Sequence, residues 1–194
     1  MKLTAEYINN LSTRVYEQNK EVGWWDDPDR CIFECLQLVS TEVAEATEGA
    51  RKNLMDDKLT HRCMEEVELA DAFIRVVDIG GKYGLVFDHR YYAHENFKGA
   101  VIKPVSNWSV GRMHWSINIR AVHFSYDFWA VESYDSDVTH PNEQNYSLLL
   151  STIIEVAALR GYDLHGAIEE KLAFNKTRPD HQRENRAAGN GPSF

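Results

Sequence analysis

Apolar residues return every third or fourth position along most of this chain, which is the period of an amphipathic helix. Residues 4–20 place Tyr7, Ile8, Leu11 and Val15 at that spacing, behind Thr4, a residue type suited to capping a helix. The segment GWWDDPDR (23–30) breaks the pattern with Gly, Pro and three Asp. A second stripe of Ile32, Leu36, Val39, Val43 and Ala46 predicts a helix over 31–53. After the connection NLMDDK, Thr60 offers another cap, and a helix is predicted over 61–84. Gly80 and Gly81 near its end read either as a stop or as a tolerated interruption. Residues 143–161 read as helix, and Asp163 caps another over 164–176. Between these, 85–142 is rich in aromatic residues and histidine. Val110, Met113, Ile117, Ala121, Phe124 and Phe128 favour a helix over 109–130, although a pair of strands fits the same residues. The polar, glycine-rich segment 181–194 is expected to be a flexible tail. The pattern predicts an all-α helical bundle, organised as a single domain over residues 1–180.

Two acidic rows run through these stripes. Glu42, Glu45 and Glu48 form one, and Glu65, Glu68 and Asp71 the other. Side chains three apart stack on one helix face, so each row is a column of negative charge. A solvated face would carry cations at i+4. Here Glu42, Glu45 and Glu68 are followed at that spacing by Ala46, Gly49 and Ala72, and only Asp71 gains a cation, Arg75. Carboxylates at the edge of a core are costly without compensation. Two such columns on antiparallel helices call for a cation between them. Mg²⁺ binds through a few carboxylates, waters and substrate phosphates, and Mn²⁺ suits the same oxygen donors.

Bulk properties narrow the function. The chain has 194 residues, 43% hydrophobic and 26% charged, enough for a substantial core. A net charge of −9 argues against nucleic acid as a partner and makes an anionic substrate depend on metal ions. No run approaches the ~20 apolar residues of a membrane helix, so no membrane partner is expected. MKLTAEYINN has no apolar signal core, and the three cysteines, Cys31, Cys35 and Cys63, are odd in number. Both point to reduced thiols and a cytoplasmic location. Cys31 and Cys35 have no second pair at zinc spacing and are expected to be ordinary thiols in or near the core. His61, His114, His123 and His165 fit no ligand pattern and are expected to be structural or at the surface.

The signature Glu42-x-x-Glu45, 22 intervening residues, then Glu68-x-x-Asp71 resembles the all-α nucleotide pyrophosphohydrolases of the MazG-like superfamily. The early Gly23-Trp24-Trp25, the run ELADAFIRVVDI and the closing EEKLAFNKTRP are similar to segments of that family in the same order. The likeness covers 4–84 and 143–180; 85–142 is an addition relative to the shortest members. It implies Mg²⁺ ligation by Glu42, Glu45, Glu68 and Asp71, with Glu65 and Glu48 as further candidates one turn away. It also implies attack at the α-phosphate of a nucleoside triphosphate, giving a monophosphate and pyrophosphate, and a homodimer or homotetramer.

Lys171, Asn175 and Arg178 are spaced along one face of the last helix and are expected on the phosphates, with Arg51 and Lys52 weaker candidates. Lys176 is expected to be solvated. Trp24 and Trp25 offer a surface on which a base can stack, or an anchor into the core. Two rivals stay open: a helical interaction or regulatory module whose acidic rows bind a basic surface, and a hydrolase restricted to dUTP or a modified nucleotide. A di-iron carboxylate bundle is disfavoured because no Glu is followed by His at i+3.

Overall fold

A computed structural model describes residues 3–93, 104–133, 141–178 and 183, and all regular structure among them is helical. The helices are α1 (Ala5–Glu21), α2 (Ile32–Lys52), α3 (Met64–Tyr83), the single turn α4 (Arg90–Ala93), α5 (Val110–Ser133), α6 (Glu143–Arg160) and α7 (Leu164–Asn175). The expected all-α bundle is what the chain forms. Residues 94–103, 134–140 and, save Arg183, the tail expected to be flexible lie outside the described residues. No described helix is long and apolar enough to cross a membrane.

Local chemistry sets several helix ends. The Thr4 hydroxyl accepts from Tyr7 N at the start of α1, Asn142 from Gln144 N at α6, and Asp163 from Gly166 N at α7. Gly80 and Gly81 do not end α3; it continues to Gly84, whose φ of 64° is the left-handed cap that glycine adopts without strain. The start of α3 differs from expectation. Asp56, not Thr60, organises the α2–α3 connection, because its carboxylate accepts from Lys58 N and Leu59 N at 2.9 and 2.5 Å. Asp56 N donates to Arg62 O and Met64 N to Leu54 O, both at 3.0 Å, so 61–63 belong to the loop.

α3 is the axis of the fold. Val67, Leu69, Phe73, Val76, Val77 and Ile79 are buried, and α1, α2, α6 and α7 pack around them. α5 lies on α2 and α6. Met113, Ile117, Ala121, Phe124 and Phe128 form its buried face, which resolves the 109–130 segment in favour of helix.

Gly49 sits against the start of α3, and Arg75, three turns further along α3, meets Glu42. α2 and α3 are therefore antiparallel, and their acidic rows face each other. A Cβ at Gly49 would lie 2.8 Å from Met64 Cβ and 3.0 Å from Glu65 N, so only glycine permits this approach. Gly49→Ala would gain about 1 kcal/mol of helix propensity but overpack a backbone contact, at a cost of about 1–3 kcal/mol. The clash is expected to win. Urea unfolding should show a lower midpoint at unchanged slope.

Candidate metal centre

Antiparallel packing brings Glu42 of α2 opposite Glu68 and Asp71 of α3, with a carboxylate oxygen of each within 4.8 Å of the others. Two cations meet this triad. Arg75, one turn beyond Asp71, donates through Nε to Glu42 Oε1. Lys171 reaches in from α7, with Nζ 2.6 Å from Asp71 Oδ2. Among the described residues, three carboxylates thus face two cations, and Glu68 Oε2 is buried with no hydrogen-bond partner. Burial, followed by the charges of Asp71 and Glu42, pushes the Glu68 carboxyl well above the usual range. Burial also raises Asp71 to about 6, against the pull of Lys171. Lys171 is buried too, but attraction to Asp71 and Glu68 outweighs burial and holds its ammonium charged.

The other carboxylates of the two rows go elsewhere. Three residues turn a helix by about 300° rather than a full circle, so an i, i+3 row drifts by about 60° per step. Its two ends diverge. Glu45 is exposed at the rim of the triad, its pKa raised by partial burial and by Glu42. Glu48 lies on the surface and pairs with Lys52. Glu65, only 2% exposed, faces away from the triad. It accepts from Arg160 Nε and Nη2, both at 2.8 Å, from Tyr162 OH at 2.6 Å, and faces His114 Nε2 at 3.2 Å. These partners overcome burial and hold its pKa at about 2. As a candidate for a further ion Glu65 is corrected: its oxygens are taken up in tying α3 to α5 and to the end of α6. His114, as expected of a structural histidine, bridges Glu65 to Thr47 on α2 at 2.8 Å.

A cavity of about 570 Å³ opens beside the triad. Asp71 and Arg75 line one side, Trp24, Trp25 and Arg30 another, and Asn175, Lys176 and Arg178 a third. Its volume is within the range of small-molecule sites. Trp25 belongs to the core, and its Nε1 donates to Asp78 Oδ1 at 3.0 Å. Trp24 is only partly buried, and the Arg30 guanidinium lies 5.1 Å from its ring. Asn175 and Arg178 reach the cavity although α7 ends at Asn175. Lys176 is exposed at the same wall. Lys171, expected on the phosphates, sits behind Asp71 instead. Arg51 is exposed, and Lys52 is occupied with Glu48. Cys31, Cys35 and Cys63 are free thiols; Cys35 is buried and lines the cavity, while Cys31 is exposed.

Sequence reasoning missed two supporting groups. Asp78, two turns after Asp71 on the same face of α3, borders the cavity, and burial raises it to about 6. Arg62 bonds Glu66 at 2.8 Å and Glu170 of α7 at 3.0 and 2.8 Å, while Glu66 accepts from Asp163 N at 2.9 Å. This cluster locks α7 to the start of α3 and so sets where Lys171 points. The i, i+4 spacing of Arg62 and Glu66 was its visible signal. No protein-family model, curated protein or solved structure matches the chain.

Two outcomes are expected of the metal-free protein. Glu68 and Asp71 hold protons more tightly folded than unfolded, so their contribution is full below the ordinary carboxylate pKa and is lost as pH rises through about 6 and beyond. The melting temperature in chelator should fall between pH 5 and 9, and Glu68→Gln should flatten that fall; parallel curves would show that Glu68 does not titrate there. Glu65→Ala should cost about 3–5 kcal/mol, because it strands Arg160 and breaks a buried ion pair. A loss below 1 kcal/mol in chemical denaturation would show that the cluster contributes little.

Proposed function

We infer that this chain is a Mg²⁺-dependent nucleoside triphosphate pyrophosphohydrolase of the MazG-like kind, acting in the cytoplasm on (d)NTPs. One observation carries the reading. A buried, under-compensated carboxylate triad on two antiparallel helices opens onto a cavity with an aromatic wall and cationic groups.

The residues fit a hard divalent ion. All donors are carboxylate oxygens, and Glu68 Oε2 has no hydrogen-bond partner among the described residues. Glu42, Glu68 and Asp71 would hold Mg²⁺ or Mn²⁺, with Glu45 joining from the rim. A bound ion would supply charge neutralisation for the triphosphate and lower the pKa of a coordinated water.

The protein's own groups do the rest. Trp24, partly exposed where it lines the cavity, would give the base an aromatic surface, with the core residue Trp25 beside it in sequence. Arg30 and Arg178 set positive charge on two sides of the cavity that would receive the triphosphate. Lys171 opposes the rise that burial imposes on the Asp71 carboxyl and orients it from behind. A carboxylate oxygen of Glu45, whose pKa is raised and which is exposed at the rim, would take the proton of the attacking water. Water oxygen bonds to the α-phosphorus, the bond to the bridging oxygen breaks, and pyrophosphate leaves with that electron pair.

The test is product analysis over a panel of canonical and modified NTPs and dNTPs, with Mg²⁺ and with chelator. Pyrophosphate in equal amount to monophosphate is expected with Mg²⁺ alone. Orthophosphate would move the attack to the terminal phosphate, and no turnover on any nucleotide would favour a binding module. Glu68→Gln and Asp71→Asn should each lower kcat by at least about 10³-fold, comparable to losing a key transition-state contact, with helical circular dichroism unchanged. Near-wild-type turnover in either would remove that residue from the site.

A further inference from the structure

α5 is apolar on two opposite faces. Met113, Ile117, Ala121, Phe124 and Phe128 pack into the bundle. Trp115, Ile119, Val122, Tyr126 and Trp129 recur at steps of 4, 3, 4 and 3 residues on the other face. Four of them are large and well exposed: Trp115 62%, Val122 52%, Tyr126 59% and Trp129 50%. A 4-3-4-3 apolar repeat is the seam by which one helix packs lengthwise on another. Large apolar residues gathered on one exposed helix face mark a surface that packs against a partner.

We propose that α5 pairs with α5 of a second copy of this chain, antiparallel across a two-fold axis at Val122. The order of side chains supports that occupant. Read from Val122 outwards, the seam is near-palindromic, with a small residue at the centre, Ile119 and Tyr126 next, and Trp115 and Trp129 at the ends. An antiparallel pair sets Trp115 of each copy beside the partner's Trp129, and Val122 on Val122, which is the self-complementarity a two-fold interface requires.

Charge agrees. Copies of a chain with net charge −9 repel one another, yet Pro104 to Tyr126 contains no Asp or Glu. The seam from Trp115 to Tyr126 therefore brings no carboxylate of its own into the contact, which lessens the repulsion between copies.

The area is sufficient. With a full aromatic side chain worth roughly 150–250 Å², the exposed seam presents on the order of 400 Å² of apolar surface per copy. At about 60% apolar content, an interface built on it buries about 700 Å² per partner. That is close to the roughly 800 Å² of a standard interface. This interface does not depend on the hydrolase reading.

The experiment is sedimentation equilibrium on the full chain over a range of concentrations, for the wild type and Val122→Glu. The wild type should show twice the 22.3 kDa of the chain. Val122→Glu sets two carboxylates face to face at the centre of the seam and should raise the dissociation constant at least about 100-fold. Val122 is exposed in one copy, so its replacement should leave helicity and melting intact. A monomeric wild type, or a dimer insensitive to Val122→Glu, would overturn the proposal. Oxidative cross-linking fixes the direction. Val122→Cys should link efficiently. Trp115→Cys should not, because seven residues from the axis on each copy separate the two positions by about 20 Å. Linking at both positions would overturn the antiparallel arrangement.

Discussion

Electrostatic strain between α2 and α3 is the constraint on which the rest of the structure depends. Three carboxylates lie within 4.8 Å of one another. At an effective dielectric of about 20, each fully charged pair at that distance repels by about 3–4 kcal/mol. Summed over the triad, this is comparable to the roughly 5–15 kcal/mol that stabilises an entire domain. The fold can hold such a cluster only by importing positive charge or protons. It does both: Arg75 and Lys171 enter from α3 and α7, and the raised Glu68 and Asp71 carboxyls take protons where no further cation is bound.

The surrounding architecture follows from meeting that demand. Gly49 lets α2 and α3 approach closely enough for the rows to face each other. The Arg62 cluster pins α7 so that Lys171 reaches Asp71 rather than solvent. On the far side of α3, Glu65 binds Arg160, Tyr162 and His114, which ties in α5 and α6. The contrast between Glu65 and Glu68 is instructive. They are one turn apart in the same row, yet one is fully satisfied by protein donors and the other retains a buried oxygen without a partner among the described residues. Satisfied carboxylates hold the fold together, and the unsatisfied one is where the proposed cation would bind.

Much of this was legible in the sequence. Apolar periodicity located α1, α2, α6 and α7 closely, because each buries one continuous stripe. The acidic spacing singled out Glu42, Glu68 and Asp71 before any geometry was known. What escaped sequence reasoning depends on register and on contacts between distant residues. A three-residue row reads as a straight column in one dimension but spirals in three, so Glu48 and Glu65 leave the triad. Arg75 looked like the i+4 partner of Asp71 but crosses to Glu42, because the facing helix offers a nearer carboxylate. Lys171 had the spacing of a phosphate contact, yet the docking of α7 buries it against Asp71. The start of α3 shifted because Asp56, an ordinary loop residue by type, bonds the backbone that Thr60 was expected to cap.

We propose that the strained triad is a divalent-cation site. The most direct measurement is a Mn²⁺ titration at pH 8 followed by electron paramagnetic resonance, on the wild type and on Glu68→Gln. Saturable binding to the wild type, competed by Mg²⁺, and its loss in the variant are expected. Absence of saturable binding, or equal binding by both proteins, would contradict it.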